Sequence, residues 1–240
     1  SYDLIFEYNK DLRVSSGFEF FNEENYSPSK SIVAINDNIG SVDALKFNFG
    51  LTRDTTNDIF YPTSGSLNSL KFSLRTAENS ENSNFKISAN SEFYKNFDRS
   101  DSFVFFLNNL GYAESLKGNL KTIDTFSLGG NNFKGFDYRG IGPFQDGIYL
   151  GGNKLITSTI GYGDNFIFDE KDNIIMKLFY TAGSVWDSDY YDDDFNLRSS
   201  IGLSLDFLSA IPISFNYAVP LEKELNDKER FFNFQIGTSF

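Results

Sequence analysis

Along most of the chain apolar and polar residues alternate with a period of two, which places them on opposite faces of β-strands. Tyr2, Leu4, Phe6 and Tyr8 share one face, and Asp3 and Glu7 the other. After Asn9-Lys10-Asp11, residues 12–20 set Leu12, Val14, Phe18 and Phe20 against Arg13, Ser15, Gly17 and Glu19. Leu45, Phe47, Phe49 and Leu51 alternate with Lys46, Asn48, Gly50 and Thr52. The rule continues through 69–75 and 85–93. It is cleanest over 197–207, where Ile201, Leu203, Leu205 and Phe207 oppose Arg198, Ser200, Gly202, Ser204 and Asp206. Over 102–112 the alternation blurs and assigns no faces. Residues 154–162, 173–186, 213–219 and 230–240 complete about eleven strands.

The connections alternate as well. Compact turns near 9–11, 54–65, 97–101, 163–172 and 208–212 interleave with longer or more polar loops near 23–42, 76–83, 113–152, 187–196 and 221–229. Short turns at one end and long loops at the other are the pattern of an outer-membrane β-barrel. On that pattern the tips near Asn79, Tyr190 and Asp227 face outside the cell, and those near Asp98 and Asp169 face the periplasm. A soluble β-sandwich also alternates, but it would bury Arg13, Lys46, Lys71, Lys86, Arg198 and Asp206 at a prohibitive desolvation cost. In a barrel the apolar face meets lipid and those charges meet water. The expected fold is all-β, a transmembrane antiparallel barrel.

Composition agrees with a two-faced sheet. Of 240 residues, 18% are aromatic, yet mean hydropathy is −0.33. No run of about 18 apolar residues exists, so a transmembrane helix is excluded, whereas barrel strands need only about 9–11 residues. The net charge of −12 disfavours nucleic acid as a partner. With neither Cys nor His, the common triads and thiol nucleophiles are out of reach. No phosphate loop, nucleophile elbow or metal-ligand spacing appears, so neither enzyme activity nor a cofactor is expected. The acidic run Asp187 to Asp194 lacks the glycine and terminal Glu of a calcium loop and reads as a solvated loop. Ser1 is not an initiating Met, and the chain reads as a fragment of a longer protein.

The longest interruption, 113–152, carries Leu128-Gly-Gly-Asn-Asn-Phe-Lys-Gly-Phe-Asp-Tyr-Arg-Gly-Ile-Gly-Pro143. Six of these sixteen residues are Gly or Pro, which suits a loop folded back against something. Its Phe133, Phe136, Tyr138 and Ile141 argue against disorder. Leu128-Gly-Gly130, Lys134-Gly-Phe136 and Ile141-Gly-Pro143 resemble, in order, the Leu-Gly-Gly, Arg-Gly-Phe/Tyr and Ile-Gly-Pro of the Omp85 superfamily (bacterial surface antigen D15-like). Asp54 to Gly65 is similar to the family's Asp-rich turn ending Pro-x-x-Gly, and Gly183-Ser-Val-Trp-Asp187 to another of its landmarks. The chain also ends in an aromatic-tipped strand, as in the family, and these four motifs in the right order carry the resemblance across most of the chain.

The resemblance implies a barrel of roughly sixteen strands, of which residues 1–240 would be about the last eleven. Further strands and periplasmic POTRA domains would precede Ser1. It implies an integral protein of the Gram-negative outer membrane that folds and inserts other β-barrel proteins. Its partners would be outer-membrane lipids and lipopolysaccharide, nascent outer-membrane proteins and accessory assembly lipoproteins. An Omp85-type translocation pore (two-partner secretion or TamA-like) is the alternative, with a passive diffusion porin behind it. The site residues it implies are Lys134, Gly135, Phe136, Arg139, Gly142 and Pro143 in a lumenal loop. In a C-terminal seam strand they are Phe232, Phe234, Ile236, Thr238 and Phe240.

This chain departs from the family at the loop cation. The family's Arg, held by acidic side chains, is Lys134 here, and the positions expected to be acidic fall at Gly161 and Thr181. The loop is therefore expected to be held by glycine-mediated packing of Phe136 and backbone contacts more than by an ion pair. Arg139 would be a substitute cation, with Asp206 or Glu92 as its partner.

Overall fold

Eleven long strands carry the alternating segments: β1 (Tyr2–Asn9), β2 (Leu12–Asn25), β3 (Gly40–Asp54), β4 (Gly65–Ala77), β5 (Asn84–Asn96), β6 (Phe103–Ser115), β10 (Lys154–Ile167), β11 (Asn173–Trp186), β12 (Arg198–Phe207), β13 (Ile213–Glu222) and β15 (Phe232–Ile236). Four two-residue strands lie in the connections: β7 (Gly135–Phe136), β8 (Phe144–Gln145), β9 (Ile148–Tyr149) and β14 (Glu229–Arg230). The structure, a computed structural model, describes residues 2–25, 34, 40–77, 83–97, 102–167, 173–207 and 213–236. The tips near Asn79, Asp98 and Asp169, and Thr238 and Phe240 of the last strand, lie outside the described residues.

The long strands form one antiparallel sheet, each beside its sequence neighbour, with β6 joined to β10 across the long loop. Among the described residues β1 and β15 are its two edges, so the sheet is a partial barrel that does not close on itself. It curls around the loop at 116–153. Arg75 of β4 reaches the start of that loop, and Ser200 of β12 reaches its middle.

Alternation decides which face of each strand looks outward. Along β12, Ile201, Leu203 and Leu205 are exposed on the outer face, while Ser200, Gly202, Ser204 and Asp206 are buried inside. The outer face bears Phe18, Phe47, Leu70, Phe106, Ile160 and Leu178 as well, a lipid-facing surface. The inner face is not simply wet. Arg75, Arg198 and Asp206 are buried, each at 5% exposure, so the expectation that the inner charges meet water is corrected for these. They are compensated by partners instead. Arg198 pairs with Asp227 at 2.9 Å and Lys177 with Asp206 at 2.7 Å.

The segment without clear alternation, 102–112, falls in a strand all the same, β6. Both its faces are apolar, because Phe103 and Phe105 point inward and Phe106 and Leu110 outward. The inward rings have glycines to lie on. A Cβ at Gly161 would sit 2.2 Å from the tip of the Phe105 ring, and one at Gly163 2.5 Å from Phe103. Tyr94, Phe105, Gly161, Phe179, Gly202 and Ala218 are cross-strand partners in one row from β5 to β13. From Phe105 to Gly202 ring and glycine alternate along it, and its rings make an inner apolar cluster with Phe103 and Ile175.

Candidate functional site

The loop between β6 and β10 is a folded unit with a core of its own. Leu120, Phe126, Leu128, Phe133, Phe136 and Ile141 pack together with Ala113 and Val185 from the sheet. Phe133 and Phe136 meet edge to face at 5.5 Å. Bridges join Phe126 to Gly152 and Leu128 to Ile141, so the chain leaves and re-enters the sheet at one place.

Within this unit the Lys134-Gly135-Phe136 turn is pressed against β12 and β13. The Ser200 hydroxyl donates to the Lys134 carbonyl at 2.7 Å. Gly135 has φ +99°, and a Cβ there would come within 3.1 Å of the Ser200 Cβ, so only glycine fits without strain. Phe136 is fully buried, and its carbonyl accepts the Gly130 amide at 2.9 Å. Gly142 has φ +107° and lies against Val185, and the Pro143 carbonyl accepts the Leu150 amide.

The Lys134 side chain points into the inner cluster, with its ammonium 5.2 Å from the centre of the Phe179 ring. Among the described residues it forms no ion pair, since Asp206 is engaged by Lys177 and by the Ser204 hydroxyl. Desolvation, with repulsion from Lys177, pushes its pKa down to about 8, and the attraction of Asp206 only partly offsets this. A ring face takes the place of a carboxylate, which is a weaker hold on a cation.

Arg139 is not the substitute cation. It has φ +52°, and its guanidinium reaches the Thr122 carbonyl at 3.5 Å. Among the described residues it pairs with neither expected partner: Asp206 holds Lys177, and Glu92 accepts the Tyr94 hydroxyl at 2.6 Å. The loop does have an ion-pair anchor, but at its start. Asp124 accepts from Arg75 at 3.1 Å and from Asn84 at 2.9 Å, and Arg75 also holds Glu23 at 2.7 Å. Lys86 donates to the carbonyl of Asp124 and lies 4.0 Å from the Phe126 ring centre.

A second loop is stitched to the motif. Glu229 and Arg230 pair with Phe136 and Gly135 as a short ladder. The Asp137 amide donates to the Lys228 carbonyl and the Lys228 amide to the Gly140 carbonyl, at 2.8 and 2.9 Å. Arg230 reaches Asp137 at 3.3 Å. This segment leads directly into β15, where Phe232, Phe234 and Ile236 face outward and Asn233 is buried inside. Asp227, paired with Arg198, and Tyr190 both lie at the loop end of the sheet.

The whole chain, residues 1–240, matches the family model described as the Omp85 superfamily domain. The chain belongs to the Omp85 superfamily. Members are integral β-barrels of the outer membrane, and this is one. In sequence it is similar to the outer membrane protein assembly factor BamA of Neisseria meningitidis serogroup B, at 29% identity over 150 residues, covering 49% of this chain and 19% of that protein. In structure it is similar to BamA from Haemophilus ducreyi lacking POTRA domains 1–3, with TM-score 0.80 and 20% identity over 99% of this chain. The chain spans 53% of that structure, so the likeness at this identity is one of fold.

Within this Omp85 barrel two features escape sequence reasoning. The Arg75–Asp124 anchor joins residues 49 apart, and nothing in their local pattern links them. The row of rings over glycines has a partial signal in Gly161 and Gly163, alternate glycines in a strand that follows one with phenylalanines on both faces.

Proposed function

We propose that this chain is the C-terminal part of the barrel of an outer-membrane protein assembly factor. About five strands would precede it in a barrel of roughly sixteen, together with periplasmic POTRA domains. It lowers the barrier to folding and insertion of nascent outer-membrane proteins, using neither ATP nor a covalent intermediate. Lipid and lipopolysaccharide surround it, and accessory lipoproteins assist it.

The observation that carries this reading is the last strand. Its five described residues pair with β13 and turn Phe232, Phe234 and Ile236 towards lipid, and in a closed barrel its other edge would meet the first of the preceding strands. Weak pairing at that seam, as the family resemblance implies, would leave a template to which another chain can add a strand. The segment entering it is bonded to the loop motif, so the loop is placed to hold the seam in position. A passive diffusion pore fits less well, because the loop packs a core of its own against the inner face of the sheet.

The test is complementation of a strain depleted of its own assembly factor by the full-length protein. The full-length protein should restore outer-membrane protein levels, and Phe234→Asp, on the lipid face of the seam strand, should not. Normal growth without restored outer-membrane proteins would move the chain to the translocation branch of the family.

A further inference from the structure

The turn between β3 and β4 is too long for its task. The two strands are neighbours in the sheet, and a hairpin between neighbours needs about 2–5 residues, yet residues 55–64 separate Asp54 from Gly65. The excess is built rather than slack. Asp54 accepts from the Thr56 amide and hydroxyl at 2.9 and 2.6 Å. The Asn57 side-chain carbonyl accepts the Thr63 and Ser64 amides at 3.0 and 2.9 Å, and Asp58 accepts the Phe60 and Tyr61 amides at 2.8 and 2.9 Å.

This bracing aims one side chain inward. Ile59 and Phe60 stay exposed, at 75% and 57%, while Tyr61 packs against the inner cluster of Tyr94, Phe103, Phe105 and Phe179. The Tyr61 hydroxyl donates to the Phe207 carbonyl at 3.1 Å, at the turn end of β12. In sheet order β5, β6, β10 and β11 stand between β4 and β12. At about 4.8 Å per strand spacing, the path along the sheet is on the order of 24 Å. The turn therefore cuts across the hollow of the sheet to reach a strand five places away.

The geometry points to a strap: residues 55–64 close the turn-end mouth of the barrel interior, and Tyr61 is the latch that holds them closed. The latch rests on the same ring cluster that receives Lys134 from the loop, so the turn and the loop meet one set of aromatic side chains. Its two contacts are separable, one a ring packed on rings and the other a single hydrogen bond.

The test uses the full-length protein in planar bilayers. Tyr61→Ala should raise single-channel conductance several-fold, and Tyr61→Phe, which keeps the ring, should raise it far less. A folded Tyr61→Ala protein with the parent's conductance would overturn the strap. A second measurement leaves the latch intact. Ser204 is 3% exposed on the inner face near that end, and the chain has no Cys of its own, so Ser204→Cys is a single reporter within it. It should resist a membrane-impermeant thiol reagent offered from the turn side. Rapid labelling with Tyr61 in place would contradict the strap even if Tyr61→Ala failed to fold. Neither readout involves assembly activity, so both stand if the assembly reading fails.

Discussion

Arg75 and Lys134 both tie the loop to the sheet, and their surroundings give them different weights. Arg75 is held in a fork between Asp124 of the loop and Glu23 of β2, with 6% of its side chain exposed. Lys134 has a ring face and no ion pair among the described residues. Arg75→Ala should loosen the loop by roughly 2–4 kcal/mol, towards the lower part of the range for breaking a buried pair because both carboxylates keep some accessible surface. Lys134→Ala loses a cation–π contact but relieves desolvation, and should cost about 1 kcal/mol or less. Gly135→Val forces a β-branched residue to positive φ against Ser200, and should cost about 2–3 kcal/mol and abolish function. Protease protection of the loop, read beside complementation, ranks the three. Lys134→Ala as damaging as Gly135→Val would mean that an anion holds the lysine after all.

The lysine also makes a pH prediction. Its pKa is about 8 in the folded loop against 10.5 ordinarily, so between those values the unfolded chain binds more protons. Stability of the loop should then rise with pH across that window, and below it the cost of the buried charge is fully present. Protease protection should increase from about pH 8 to about pH 10, and Lys134→Met should remove the dependence.

At the level of elements, strands were legible wherever one face meets lipid. Ile201, Leu203 and Leu205 are placed by period alone, because a shift of one residue would turn all three inward. The pattern failed over 102–112, where rings on the inner face no longer contrast with the outer one. The same crowding changes what an inner position tolerates. Ser204 shares the inner face with Ser69, but it is buried and donates to Asp206, whereas Ser69 keeps accessible surface. The lumen–lipid contrast is therefore best read on β4. Leu70→Arg, 44% exposed on the outer face, should cost about 2–4 kcal/mol if near the bilayer midplane, while Ser69→Arg should cost little. Equal loss in a bilayer refolding titration would mean that the faces of β4 are reversed.

Over the whole molecule, the barrel and its family could be read from strand period, loop alternation and four ordered motifs. What held the loop could not. Gly161 reads in the sequence as a missing carboxylate, and in the fold it is the place where the Phe105 ring lies. The link from the motif to the seam strand through 228–230 is equally invisible, since it rests on backbone bonds among Asp137, Lys228 and Gly140 that leave no pattern of side chains.

Under the proposed function the barrel works at its seam and not as an open hole. A direct measurement reconstitutes the full-length protein in vesicles loaded with a small dye and adds an unfolded outer-membrane protein. Faster folding of the added protein into protected, membrane-inserted form is expected, with the dye retained. Dye loss through the parent protein, with no acceleration of folding, would contradict it.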